Sequence, residues 1–227
     1  MFRFDMVKMI PLIQTSHLTK FYATVRAVED VSLEVREQGS LAILGPSGSG
    51  KTTLLRLIAG LEIPDKGTIS INDAVVSTAG WALPPHRRQV GFVFQTPALW
   101  PHMTVAQNIM FGLHGKTSKE AEYRLKELLD RTSLEKLARR YPHQISGGEA
   151  RRAALARALA PEPRCLLLDE PLTNLDPHLQ QEMINLIQEG ARNTKACIVY
   201  VTHDADEASQ LAERVVTLRD GHLDEAR

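Results

Sequence analysis

Two hydrophobic periods divide the chain. Val31, Leu33 and Val35 alternate with polar residues, the pattern of a strand with one buried face. Residues 68–76 alternate again around the turn dipeptide Asn72-Asp73, which predicts a hairpin. Antiparallel strands are therefore expected in the first third. Four other apolar runs, at residues 41–44, 90–94, 165–168 and 197–201, do not alternate. Such runs read as parallel strands buried on both faces. Each gives way at once to a polar residue or loop, namely Gly45, Gln95, Asp169 and Thr202-His203. Ligands of open α/β sheets bind beyond the carboxyl ends of the strands, so these four endings predict one site.

Between residues 104 and 160 the period is helical. Ala121, Leu125, Leu128 and Leu129 fall at i, i+4, i+7 and i+8 and form one apolar stripe. Thr132 and Glu135 have capping-box spacing and predict a second helix, ended by Pro142. A further helical run over 150–160 stops at Pro161. The helical stretch, roughly 97–160, lies between two predicted parallel strands and is expected as a subdomain inserted into a single domain spanning 10–227.

Composition narrows the class without naming it. Of 227 residues, 43% are hydrophobic and 24% charged, as in an ordinary globular protein. Lys plus Arg and Asp plus Glu number 27 each, so there is no basic excess of the kind phosphate neutralisation demands, and no nucleic-acid partner is expected. No stretch approaches the 18 apolar residues of a membrane span. The first 13 residues lack a long apolar segment and a small-residue cleavage site, so no signal peptide is expected. Cys165 and Cys197 each sit inside an apolar run, which argues against a disulfide framework. The expected compartment is the cytoplasm.

Gly45-Pro46-Ser47-Gly48-Ser49-Gly50-Lys51-Thr52 follows a predicted strand and precedes a helical run from Thr53 to Ala59. This is the phosphate-binding loop pattern in its required setting. Glycines turn backbone N–H groups toward a phosphate, and the helix N-terminus adds partial positive charge. Lys51 is expected to reach the β- and γ-phosphates, and Thr52 to give its hydroxyl to Mg²⁺. Asp169 and Glu170 close a buried strand. Asp169 suits a Mg²⁺ anchor acting through water, and Glu170 a base for the attacking water. Gln95 could touch both water and metal. By position alone, Gln95 and His203 fit a structural role as well as a functional one.

Ser146-Gly147-Gly148-Glu149 opens the helical run over 150–160, with Ser146 and Glu149 as a capping box. A well-capped helix suffices to explain it, yet its two glycines leave amides open to an anion. Ser146 and Thr52 are 94 positions apart. Either both helix starts meet one γ-phosphate within one chain, or two chains pair head to tail and each donates one.

Taken in order, the phosphate loop, Gln95, Ser146-Gly147-Gly148-Glu149, Asp169-Glu170, Asp176 and His203 resemble the ATP-binding-cassette ATPases over essentially the whole chain. The resemblance implies an α/β fold: a P-loop ATPase core with a mostly parallel sheet, an N-terminal antiparallel β subdomain and the inserted helical subdomain. It implies ATP and Mg²⁺ as ligands, and a homodimer closed by ATP in which Ser146 and Gly148 reach the partner's γ-phosphate. It further implies that Asp176 links the two sites, that His203 holds the γ-phosphate and the attacking water, and that Gln95 reports nucleotide state to a membrane partner. Tyr22 stands where the family stacks an aromatic on adenine. Ile145 and Glu149 depart from the Leu and Gln usual in the signature, and both changes are mild.

Pro84-Pro85-His86-Arg87-Arg88-Gln89-Val90-Gly91, with Trp100-Pro101-His102-Met103-Thr104-Val105, is similar to import ATPases for polyamines, iron, sulfate and sugars. Those relatives commonly carry a further C-terminal domain, and 24 residues follow His203 here. This branch implies solute import, integral membrane permease subunits as partners, a solute-binding protein as a further candidate, and a place on the inner face of the membrane. An exporter, a lipid- or lipoprotein-release complex and a non-transport ATPase of the same family are the alternatives. Trp100, Met103 and Phe111 suit a groove for a permease helix and equally the core of the helical subdomain.

Overall fold

The computed structural model describes residues 11–113 and 115–224. The expected domain limits at residues 10 and 227, and the first ten residues considered for a signal peptide, lie outside them. The chain opens with two long antiparallel strands, β1 (Pro11–Tyr22) and β2 (Val25–Arg36). It then enters a second sheet with β3 (Ser40–Leu44) and turns into α1 (Lys51–Ala59). β4 (Lys66–Ile71), β5 (Ala74–Thr78) and the short β6 (Trp81–Ala82) return to the first sheet, in the order β2-β1-β4-β5-β6. The Asn72-Asp73 hairpin is present, and both residues have positive φ, 53° and 61°.

β7 (Val90–Val93) leads into α2 (Val105–Phe111), α3 (Ser118–Arg131) and α4 (Gly147–Leu159) before β8 (Cys165–Asp169). α5 (Pro177–Thr194), β9 (Cys197–Thr202), α6 (Ala205–Leu211), β10 (Arg214–Arg219) and β11 (His222–Asp224) complete the described residues. The second sheet has the order β11-β10-β3-β9-β8-β7 and is parallel except for β11. Its central strands feed two cores. Ala42, Leu166, Leu168, Ile198 and Tyr200 face the helices α2–α6, whereas Leu41, Ile43, Leu167, Val199 and Val201 face α1 and the antiparallel sheet. Burial on both faces explains their unbroken apolar runs.

Two expectations need correction. Thr132 does not cap a second helix. Its hydroxyl donates back to the Leu128 carbonyl at 2.6 Å, ending α3, and Ser133 turns the chain at φ 53°. A 3₁₀ turn, Glu135–Leu137, and a second at Pro142–Gln144 follow in place of the expected helix. The run 90–94 is not buried on both faces either. β7 is the sheet edge, and Val90, Phe92 and Phe94 are only half-buried.

Arg88 joins the layers. It is 2% exposed, and its five N–H donors match five acceptors. Nε reaches Leu83 O (2.7 Å), Nη1 reaches Leu57 O (3.2 Å) and Ile58 O (2.9 Å), and Nη2 reaches Val76 O (2.9 Å) and Ser77 Oγ (2.7 Å). The cation thereby serves the carbonyl end of α1, where the helix dipole favours it. Burial pulls its pKa down to about 10, so it stays charged at neutral pH. Replacing it strands several buried carbonyls. Arg88→Met should cost about 3 kcal/mol and lower the Tm by roughly 6–12 °C in a circular-dichroism melt. A change within about 1 °C would show that α1 does not depend on this clamp.

Candidate active site

The phosphate loop is built by close backbone approach. Gly50 has φ 104°, and a Cβ there would lie 1.9 Å from Ala27 O of β2. A Cβ on Gly45 would lie 2.2 Å from Leu218 O of β10. The loop is thus pressed between the antiparallel sheet and the last strand of the chain, and the Ser49 carbonyl accepts from Gly221 N at 3.1 Å. Pro46, Ser47 and Gly48 form its exposed rim. α1 starts at Lys51, two residues earlier than the apolar pattern indicated, and its first ladder bond is Leu54 N to Gly50 O. The amides of Gly50, Lys51, Thr52 and Thr53 therefore have no partner within the helix and suit an anion.

Lys51 is folded against its own loop. Its ammonium is buried and donates to Gly45 O (2.7 Å) and Pro46 O (2.9 Å), with Glu170 Oε1 at 3.7 Å. Thr52 Oγ1 donates to Asp169 Oδ1 at 2.8 Å, joining the loop to the end of β8. Asp169 is 4% exposed and has no cation within ion-pair distance among the described residues. Burial raises its pKa, the Thr52 hydrogen bond opposes that, and the Glu170 charge adds to it.

Glu170 is where the strand ends meet. Its backbone has φ 45°, uncommon for a residue with a side chain, and its amide bonds Val201 O of β9 at 3.1 Å. Its Oε2 accepts from Gln95 Nε2 (3.3 Å) and Thr173 Oγ1 (3.2 Å) and lies 3.3 Å from His203 Nδ1. Oε1, near only the lysine, is the less engaged oxygen. Gln95, Lys51, Asp169, Glu170 and His203 thus stand together, as the four strand endings predicted. Tyr22, at the end of β1, is 41% exposed and lies beside Thr53 and Glu62, with its phenol pKa raised by partial burial and by Glu62.

The second helix start stands apart. Ser146 caps α4, its Oγ accepting from Glu149 N (3.3 Å) while the Glu149 carboxylate accepts from Ser146 N (2.7 Å). These bonds hold the Glu149 pKa below its ordinary value. Gly147 faces open space, and a Cβ on Gly148 would meet Leu179 of α5 at 3.5 Å. Asp176 caps α5, accepting from His178 N and Leu179 N, both at 3.1 Å. Among the described residues no hydrogen bond or ion pair joins residues 146–149 to the phosphate loop.

The Ser-Gly-Gly helix start, the phosphate loop and the acids at the end of β8 occur in one fold, and the ABC transporter profile matches residues 28–173. The chain belongs to the ABC transporter family. Membership assigns ATP binding to this ABC chain. The Fe(3+) ions import ATP-binding protein FbpC of Pseudomonas fluorescens is 47% identical over 208 residues, covering 91% of this chain and 58% of the relative. The sulfate/thiosulfate import ATP-binding protein CysA of Xanthomonas campestris pv. campestris is 46% identical over 219 residues, covering 94% and 63%. The chain thus spans 58–63% of the length of these relatives. A solved ATP-binding cassette, a dimer in a post-hydrolysis state bound to ADP and Pi, matches with a TM-score of 0.82 at 32% identity, covering 95% of this chain and 99% of that one. The cbiO1 protein of Clostridium perfringens, part of the ABC transporter complex cbiONQ, gives 0.83 at 28% identity, covering 94% and 87%.

Among the described residues no group of three or more His, Cys, Asp or Glu could hold a metal alone. A hydroxyl, an amide oxygen and a nearby carboxylate, beside a phosphate cradle, suit Mg²⁺, which keeps waters and binds through phosphates. The ABC cassette also carries groups that no local pattern announced. Thr173, in the loop after β8, donates to Glu170, and Arg151 of α4 holds that loop through its Nη2, which donates to Thr173 O at 2.7 Å. Asn108, fully buried, folds the Trp100 loop onto α2 by accepting from Trp100 N (2.8 Å) and donating to the carbonyls of Trp100, Met103 and Thr104.

The raised Asp169 pKa fixes a sign. Ionising this carboxyl is harder in the folded chain than in the unfolded one. The penalty is absent below the ordinary carboxylate range and grows as pH rises through it. Asp169→Asn keeps an acceptor for Thr52 and removes the charge. Without nucleotide it should melt higher than the parent at neutral pH, by roughly 2–4 °C per kcal/mol relieved, with the gap closing in acid. The extra stabilisation by ATP with Mg²⁺ over ATP with chelator should shrink in the variant. A parent that outlasts the variant without nucleotide would overturn this.

Proposed function

We propose that residues 10–227 act as one ATPase unit that closes head to tail on a second copy over two ATP, and that this closure drives solute import through integral membrane permease subunits. The observation that carries the reading is the division of the site. One chain gathers Lys51, Thr52, Gln95, Asp169, Glu170 and His203 at the strand ends, while its Ser146–Gly148 helix start stands free of them. A free capped helix start with open glycines is what a second copy would supply to a γ-phosphate. The dimeric post-hydrolysis relative and the import names of the curated relatives support the same reading.

In this reading Lys51 leaves the carbonyls of Gly45 and Pro46 for the phosphates, beside the amides of residues 50–53, with Pro46–Ser49 forming the cradle and Tyr22 stacking on the base. Thr52 and Gln95 would hold Mg²⁺ directly and Asp169 through water, the ion supplying positive charge at the phosphoryl oxygens. Glu170 takes a proton from the attacking water, and His203 orients that water and the γ-phosphate. Ser146, Gly147, Gly148 and Glu149 of the second copy stabilise the developing charge through helix amides. Asp176, capping α5 beside that helix, links the two sites. The helical part, roughly 97–160, bears the permease contact. Trp100 and Phe111 lie with ring centroids 4.4 Å apart and Phe111 is 56% exposed, which favours a groove there over a buried core. The unit sits peripherally on the inner face of the membrane; no described helix is long and apolar enough to cross it. A solute-binding protein completes the import system.

Glu170→Gln should bind ATP, lose at least about 100-fold in turnover and accumulate as an ATP-dependent dimer in size-exclusion chromatography. Turnover near the parental rate would refute the base assignment. Ser146→Arg should abolish hydrolysis while an isolated chain still binds nucleotide with parental affinity. Loss of binding by that chain, followed by nucleotide fluorescence, would mean that the helix start serves its own loop rather than the partner's.

A further inference from the structure

His203 is exposed at the end of β9, yet the backbone on either side of it is held by a buried carboxylate that the reaction does not use. Glu207, in the first turn of α6, is 9% exposed. Its Oε2 accepts from Tyr200 Oη (2.5 Å) and Thr202 Oγ1 (2.7 Å), and its Oε1 from Gln180 Nε2 of α5 (3.3 Å). No cation lies within ion-pair distance of it among the described residues, so its burial is offset by these donors and by the amide end of α6.

Thr202 carries the connection. Its hydroxyl donates to Glu207 and also accepts from Asp204 N at 3.0 Å, so one side chain spans the residue between, which is His203. The Thr202 carbonyl accepts from Gly45 N, the first amide of the phosphate loop, at 3.2 Å. Asp204 then caps α6, accepting from Asp206 N and Glu207 N. The backbone at His203 is therefore pinned on both sides by groups that end at the Glu207 carboxylate. The Tyr200 phenol, its pKa raised by burial and by Glu207, remains a donor throughout the working pH range.

We propose that Glu207 is a positioning residue that fixes the backbone of His203, acting through the Thr202 hydroxyl, and so sets how the imidazole meets Glu170 and the γ-phosphate. The proposal rests on the ATPase reading above. A side chain 53% exposed at the end of a strand has no packing of its own to aim it, and His203 Nδ1 must lie within reach of Glu170 Oε2, now 3.3 Å away. Small misplacements of reacting groups are costly, about 100-fold for 1 Å.

The test is a double-mutant cycle on the full chain, read by steady-state and single-turnover ATP hydrolysis so that slow variants stay measurable. Glu207→Gln preserves volume and loses an acceptor for two hydroxyls. It should lower kcat by roughly tenfold or more with KM for ATP within about twofold. In a His203→Ala background the same change should cost less than about twofold, because the group it aims is gone. A general loss of packing would instead lower the rate by the same factor in both backgrounds, and that result would overturn the proposal. So would parental kcat in Glu207→Gln. Thr202→Val gives a second route if Glu207→Gln does not fold, since it keeps a β-branched strand residue and removes only the hydroxyl. It should repeat the kcat-selective loss, and parental turnover there would overturn the proposal too. Parental hydrolysis that Glu170→Gln abolishes isolates failure of this inference from failure of the ATPase reading. A parent without hydrolysis removes both.

Discussion

Parallel pairing of β3, β9, β8 and β7 decides where the chemistry sits. Leu44 lies opposite Thr202, Asp169 opposite Val201 and Val93 opposite Leu168, so four strands stop at nearly one level. The ladder continues for one more amide on two of them, Gly45 to Thr202 O and Glu170 to Val201 O. Phosphate loop and carboxylate are therefore set against each other by backbone bonds before any side chain contributes. Because side chains alternate between the faces of a strand, a slip of one residue would exchange the two cores as well as displace the site, so burial on both faces protects the register.

The charges at this level are unequally served. Lys51 has two carbonyls and a carboxylate near its ammonium, whereas Asp169 has one hydroxyl and, among the described residues, no cation within ion-pair distance. A buried carboxylate with so little support favours any cation brought beside it, and the price is stability of the protein by itself. Glu170 adds backbone strain to this, held at φ 45° by the amide bond to β9 and by Thr173.

Much of this was legible in the sequence because it is local. The phosphate loop, the Ser146–Glu149 cap, the Asn72-Asp73 hairpin and the unalternating strands each announce themselves within about ten residues. The strand endings converged because one topological rule governs them all. Where the reading failed, a competing local bond won, as when Thr132 turned back to Leu128 rather than forward to Glu135. The edge position of β7 depends on which strand pairs with it, which its composition does not encode. β10 is too mixed in polarity and β11 too short to stand out, yet they wall the phosphate loop at Leu218 and Gly221. Glu207, Asn108 and Arg151 carry no local signal, and Arg88, though part of the Pro84–Gly91 motif, shows nothing there of its buried clamp, because each acts on backbone or side chains distant in sequence or across a turn.

The partners of Arg88 have a consequence for ionic strength. All five are neutral oxygens, three of them carbonyls of α1 and β5. Dissolved ions weaken attraction between full charges near solvent, but they have little purchase on a guanidinium sealed among dipoles. The tie between the antiparallel layer and the phosphate-binding helix is thus indifferent to brine. Surface pairs such as Lys116 with Glu162 will loosen as salt accumulates, while the frame that aims the nucleotide loop keeps its shape.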